Sequence, residues 1–104
     1  PFSLSNKERR KLKFEKIDNR FFSSYLRFEV ADKPGVLSNI TNIFSKNKVS
    51  IKRLVQNPNI NKKISSIIII THKSKNKFLN KILKDISKKS FIKKKPKLIR
   101  IDDN

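Results

Sequence analysis

Cysteine is absent from the sequence, and glycine and histidine occur once each, at Gly35 and His72. Without cysteine there is no disulfide, no thiolate ligand and no cysteine nucleophile. One histidine is too few for an ordinary zinc site, and one glycine cannot form the Gly-rich loop that holds a dinucleotide. We therefore nominate no catalytic residue and no metal ligand, and expect no cofactor in this chain. The lack of cysteine is compatible with a reducing compartment, and we expect a cytoplasmic location.

Long apolar runs and negative charges are also scarce. The longest apolar run is Ile67–Ile70, far short of the roughly 20 residues that a membrane span needs, and no signal peptide is visible. Eight acidic residues oppose 27 basic ones, for a net charge of +19. The excess is mostly lysine, as codon drift in an A/T-rich genome would produce, whereas arginine, which suits phosphate contacts better, is scarce. We therefore expect neither a membrane nor a nucleic acid as partner.

With 104 residues the chain has room for one domain. It begins at Pro1 rather than at methionine, and we expect a piece of a longer protein. Residues 1–22 are interpreted as a linker or tail from a missing catalytic part, with a short helix at Asn6–Lys16 capped by Ser5 or Asn6. Residues 23–104 are predicted to form the domain.

Ala31–Leu37 is the stretch around which the chain is organised, because it joins an alternating pattern to a helical one through the only glycine. Before it, alternation over Ser24–Ala31 predicts a half-buried strand. After it, apolar residues recur every three or four positions over Val36–Asn47, which predicts a helix. Pro34 and Gly35 suit the turn between the two. The N-terminus of that helix presents unpaired N–H groups and a partial positive charge, which can bind a carboxylate.

The later part of the chain continues with the same patterns. Val49–Gln56 alternates and predicts a second strand, with Ile51 and Val55 on one face and Leu54 on the other. The elements that follow are a turn at Asn57–Asn61, a third strand at Ile64–His72, a helix capped by Ser74, and a last strand split or delayed by Pro96.

Four consecutive isoleucines, Ile67–Ile70, give the third strand apolar side chains on both faces. The element order β-α-β-β-α-β predicts a ferredoxin-like α+β sandwich, in which a four-stranded antiparallel sheet carries two helices on one face. Because the helices cover only one face, the other face needs a partner. We therefore predict a homo-oligomer, in the simplest case a dimer formed through the sheet or a strand edge.

The motif Asp32–Leu37, together with the following apolar helix and Val49–Ile51, resembles that of an ACT domain, a small regulatory ligand-binding module with this element order. Within that family the chain is most similar to the C-terminal domain of homoserine dehydrogenase. The likeness covers residues 22–104, and the preceding segment is similar to the connector from the catalytic part. The stretches that carry it are Tyr25–Leu37, Gln56, Ile67–His72 and Leu98–Ile101.

The resemblance implies a regulatory piece of an NAD(P)-dependent enzyme that makes homoserine in threonine and methionine biosynthesis from aspartate. The enzyme is often inhibited by threonine. In ACT domains an amino-acid effector sits where two domains meet, near the first strand-to-helix turn and the second strand. The effector-binding residues implied for this sequence are Asp32, Pro34, Gly35, Val36, Leu37, Ser50, Ile51 and Gln56.

The chemistry of these residues fits an amino acid. Backbone N–H groups near Gly35 to Leu37 would hold the effector carboxylate, Asp32 its ammonium group and Gln56 a side-chain hydroxyl. Lys52-Arg53 departs from this fit, since two cations would repel an ammonium group.

Two other functions remain open from the sequence. A purely structural module that dimerises through the isoleucine-rich face would look the same. An RNA-binding domain of the same order would carry stacking aromatics on its first and third strands, and Ile64–Ile70 has none. His72, without partners in the pattern, is predicted to be a surface or capping residue rather than a ligand or base.

Overall fold

The structure is a computed structural model, and it describes residues 5–101. Within these residues, three helices and five strands follow one another. In order they are α1 (Asn6–Asn19), β1 (Phe21–Ala31), α2 (Val36–Lys46), β2 (Ile51–Asn59), a 3-10 turn (Ile60–Lys62), β3 (Ile64–Thr71), β4 (Ser74–Lys75), α3 (Asn76–Ser87) and β5 (Lys97–Ile101).

The four long strands form one antiparallel sheet in the order β2-β3-β1-β5. The two-residue strand β4 adds a short pairing with Phe21 and Phe22 at the start of β1. The predicted α+β sandwich with an antiparallel sheet is confirmed, and so is the split final strand. Ile92 makes a single bridge to Val30, and β5 begins only after Pro96.

One face of the sheet is covered by α2 and α3, which contact each other. The side chains between sheet and helices form a single apolar core. Its fully buried members include Leu26, Phe28, Ile40, Phe44, Ile67, Ile69, Leu79, Ile82 and Ile86. The apolar stripes of the two predicted helices therefore pack against the alternate residues of β1 and β3.

Burial alternates along β3, the strand with the four isoleucines. Ile67 and Ile69 are completely buried against the helices, whereas Ile68 and Ile70 are half-buried on the opposite side. We call that opposite side the open face of the sheet, which within residues 5–101 has no covering layer. The prediction of a central strand with two apolar faces is confirmed.

The predicted faces of the second strand were wrong. A β-bulge between Ile51 and Arg53 shifts the alternation by one residue. As a result Leu54 packs against the core together with Ile51, while Val55 pairs with Ile68 on the open face. A bulge inserts an extra residue opposite one partner, and a period-two pattern contains no signal for it.

Two predicted boundaries also differ. Pro58 lies in β2, opposite Ser65, rather than in a turn, because β2 is an edge strand and needs no ladder bond from that residue. The chain turns later, at Ile60–Lys63, where Lys63 has a φ of 53°. Ser74 does not cap the following helix, because it is paired in β4 and its hydroxyl donates to the carbonyl of His72 at 3.3 Å.

The N-terminal segment begins with the predicted helix. The Ser5 hydroxyl accepts from the N–H of Glu8 at 3.1 Å and the Glu8 carboxylate accepts from the N–H of Ser5 at 3.2 Å, a capping box. α1 ends at Asn19 rather than Lys16 and contacts α3. β1 then begins at Phe21, before the predicted Ser24, because β4 pairs with this early part. The linker role of residues 1–22 stays a prediction.

Candidate effector-binding site

The turn between β1 and α2 lies where the sequence predicts it. Gly35 precedes the helix with φ 85° and ψ −14°, a left-handed conformation that glycine adopts without strain. The Asp32 N–H donates to the carbonyl of Lys63 and the Lys33 N–H to that of Ala31, both at 3.0 Å. The first bond ties the turn to the connection between β2 and β3, and the second closes the turn on itself.

The residues of the turn differ in what they offer a ligand. Asp32, Pro34 and Gly35 are exposed, Leu37 is half-buried, and the Val36 side chain is buried in the core. Val36 is therefore available through its backbone only, and its N–H makes a long bond of 3.4 Å to Lys33. No side chain caps α2, so apart from the Val36 N–H, the N–H groups of its first turn have no side-chain acceptor of the kind that a bound carboxylate would replace.

The predicted site residues of the second strand lie in two different places. Ser50 and Ile51 lie at the far end of α2, whose eleven residues span about 16 Å at about 1.5 Å each. Gln56 lies nearer the turn, opposite Ile67, and its side-chain amide donates to the Ser65 hydroxyl at 3.1 Å. Along β2, Gln56 lies three residues from Asn59, which the register places level with Ala31 through Ile64, whereas Ile51 lies eight residues from it.

Ser50 and Ile51 have a concave surface of their own. An open depression of about 370 Å³ lies where α2 ends and the chain enters β2. Its lining residues are Thr41, Phe44, Ser45, Lys48, Val49, Ser50 and Ile51. The hydroxyl groups of its wall and the apolar floor suit a small amphipathic molecule.

The two cations of β2, which the sequence suggests would repel an effector's ammonium group, lie away from Gln56. Lys52 sits in the bulge and is exposed, and Arg53 pairs with Ile70, which places it on the open face. Arg53 is thus on the other side of the sheet from Gln56.

His72 is exposed, and its N–H donates to the carbonyl of Ser50 at 2.9 Å, in keeping with its predicted surface position.

Two residues that hold the candidate site were missed by sequence reasoning. Lys63 supplies the carbonyl that anchors Asp32, and Ser65 receives the Gln56 amide. Both contacts join residues that are distant in the chain through the pairing of β3 with its neighbours. No local sequence pattern predicts these contacts, and they can be predicted only when the register of the sheet is known.

Gly35→Ala is expected to lower the free energy of unfolding by about 1–2 kcal/mol, because alanine is strained at this φ. Nothing lies within 4 Å of the position that a Cβ would take, so the loss comes from the backbone alone. Gly35→Asn is the matched control, since asparagine tolerates the left-handed region. Urea denaturation of both variants tests this, and an equal loss for Ala and Asn would contradict it.

The comparisons with known proteins agree with this geometry. The model of the AHAS small subunit-like ACT domain family matches residues 26–91. The homoserine dehydrogenase of Neisseria gonorrhoeae is 30% identical over 80 residues, which cover 77% of this chain and 18% of that protein. The homoserine dehydrogenase of Helicobacter pylori is 28% identical over 79 residues, or 76% of this chain and 19% of that protein. The chain thus spans less than a fifth of these relatives.

Solved structures give the same result. The crystal structure of a homoserine dehydrogenase from Thiobacillus denitrificans superposes with a TM-score of 0.73 and 30% identity, covering 84% of this chain and 19% of that one. The ACT domain of a GTP pyrophosphokinase from Chlorobium tepidum, at 20% identity and a TM-score of 0.61, shares the fold over 79% of this chain and all of that domain. The three helices described within residues 5–101 are each too short or too polar to span a bilayer.

Because the family model matches more than half of its length, the chain belongs to the AHAS small subunit-like ACT domain family, and it resembles the C-terminal ACT domain of homoserine dehydrogenase.

Proposed function

We propose that this ACT domain is the C-terminal regulatory domain of an NAD(P)-dependent homoserine dehydrogenase in threonine and methionine biosynthesis, and that it binds an amino-acid effector such as threonine. The observation that carries the proposal is the open first turn of α2, with an exposed carboxylate at Asp32 beside the left-handed Gly35. The 30% identity to homoserine dehydrogenases supports the parent enzyme. In this proposal the domain itself does not catalyse, NAD(P) belongs to the catalytic part, and the location is cytoplasmic.

The proposed site has complementary groups for both ends of an amino acid. The N–H groups of the first turn of α2 and the positive end of the helix dipole stabilise the effector carboxylate. Asp32 pairs with its ammonium group, and the Gln56 amide, now bonded to Ser65, exchanges that bond for an effector hydroxyl. Since Ser50 and Ile51 lie about 16 Å from the turn across the length of α2, we propose that they reach the effector from a second copy in a dimer.

Threonine binding is tested by urea denaturation with L-threonine, with D-threonine as the control. At ten times its dissociation constant, L-threonine is expected to add about 1.4 kcal/mol to the free energy of unfolding. Asp32→Asn should remove most of this gain by deleting the charge that meets the ammonium group. Gln56→Ala should remove the response to threonine more than the response to alanine, because only threonine has the hydroxyl. Identical gains with the two enantiomers would overturn the proposal.

A purely structural role in dimerisation is the second candidate, and the open face of the sheet favours it. Ile99 and Ile101 of β5 are 59% and 40% exposed there, and the half-buried Tyr25, Ile70 and Ile68 continue the same face across β1 and β3. Uncovered apolar side chains on one sheet face are typical of a protein–protein contact. Sedimentation equilibrium tests for the dimer that both roles predict, and the response of the unfolding free energy to amino acids separates them, because a dimer that does not respond to any amino acid would be the structural module.

A further inference from the structure

A cluster of cations occupies the open face beside the exposed isoleucines of β5. Arg27 of β1 and Lys97 of β5 are directly opposite each other in the antiparallel register, so their side chains point to the same side of the sheet. Like charges in that position repel each other and destabilise the pair. Leu26 and Leu98, one residue earlier in β1 and one later in β5, make an ordinary apolar pair on the helix side.

The segment before β5 brings two more lysines to the same place. Two backbone hydrogen bonds hold this segment against the end of β1: the Ala31 N–H donates to the carbonyl of Phe91 and the Lys93 N–H to the carbonyl of Glu29, both at 2.8 Å. Together they form the bridge between Ile92 and Val30. Lys94 and Lys95 follow directly, and the buried Pro96 leads into the strand. The backbone of this lysine pair is therefore held in place by hydrogen bonds of the residues directly before it.

These residues surround a small recess. It has a volume of about 170 Å³ and is lined by Arg27, Phe28, Glu29, Lys94, Lys95 and Lys97. The Glu29 carboxylate is 3.5 Å from the Lys94 ammonium group. Among residues 5–101, no hydrogen bond or ion pair engages the side chains of Arg27, Lys95 or Lys97. Three unneutralised cations thus meet in one concavity.

We propose that this recess binds a phosphate group, free or as a small phosphomonoester. A dianion between Arg27 and Lys97 converts their mutual repulsion into two attractive contacts. The guanidinium group can hold two phosphate oxygens at once, and the lysine ammonium groups add point charges around them. Glu29 keeps Lys94 in place at the rim. The site lies on the opposite side of the sheet from Gln56 and is independent of the amino-acid site proposed above.

The test is a titration of the isotope-labelled chain with inorganic phosphate at constant ionic strength, with chloride as the compensating anion and acetate as a monoanionic comparison. Backbone amide resonances of residues 27–29 and of Lys94, Lys95 and Lys97 are expected to shift saturably with phosphate and little with acetate. Glycerol phosphate in a parallel titration tells whether an ester binds as well as the free ion. Binding of either supports the site.

Charge variants distinguish a site from general screening of a basic protein. Arg27→Gln is expected to weaken phosphate binding about tenfold, as loss of a charge-assisted contact does, and Lys97→Gln is expected to act in the same direction. Lys84→Gln, an equal change of charge on the exposed side of α3, is the control and should leave binding unchanged. Shifts that do not saturate, or that respond equally to Arg27→Gln and Lys84→Gln, would overturn the proposal.

Discussion

Ile69→Ala is expected to lower the free energy of unfolding by about 2–5 kcal/mol, a large share of the stability of a small domain. Ile69 is completely buried, and in the sheet it lies between Leu26 of β1 and Leu54 of β2. Alanine at this position loses the transfer free energy of the side chain and leaves a cavity in a core that both helices cover. Urea denaturation followed by circular dichroism measures the loss.

The neighbouring Ile70→Ala is the matched control. It makes the same chemical change one residue along β3, on the open face between Tyr25 and Arg53, where Ile70 is half-buried. A loss of about 1 kcal/mol is expected, since roughly half as much apolar surface leaves water on folding. The comparison is made at low protein concentration, where self-association is small. If the two variants lost the same free energy of unfolding as monomers, Ile70 would be packed as well as Ile69, and the sheet would have no open face.

Thr71→Val is expected to cost about 1–3 kcal/mol, although valine has nearly the same shape as threonine. The Thr71 hydroxyl accepts a hydrogen bond of 3.0 Å from the backbone N–H of Ser24, and both residues are completely buried. Valine leaves that N–H without an acceptor and without access to water. The measurement is again the free energy of unfolding.

Ser24→Ala provides the internal comparison for this prediction. Within the described part of the chain the Ser24 hydroxyl is buried and has no hydrogen-bond partner. Removing an unpartnered buried hydroxyl is expected to change stability by less than about 0.5 kcal/mol or to raise it. A large loss in Ser24→Ala with a small one in Thr71→Val would mean that the roles of the two hydroxyls are reversed.

The candidate site was predicted in part. The turn at Asp32–Leu37 follows from local chemistry, because a proline, the only glycine and the start of an apolar stripe act within a few residues of each other. The positions of Ser50, Ile51 and Gln56 do not, because each depends on the length of α2 and on the register of β2. The bulge at Ile51–Arg53 is the clearest example, since it decides that Leu54 rather than Val55 faces the core.

The sequence by itself determined the elements whose signals are local. These are the alternation of β1, the isoleucine-rich β3, the stripes of α2 and α3, the capped start of α1 and the turn at Pro34 and Gly35. Each rests on side-chain periodicity or on the backbone freedom of one residue type, which act within a few positions. Their order was enough to predict the antiparallel sandwich.

Only the tertiary structure decided how distant segments meet. It paired Ser74–Lys75 with the start of β1, extended β2 through Pro58, tied Asp32 to Lys63 and set Arg27 opposite Lys97. These contacts depend on strand register, and register is selected by the packing of the whole core against both helices. A shift of one residue exchanges the two faces of a strand, so no short stretch of sequence contains the information that fixes it.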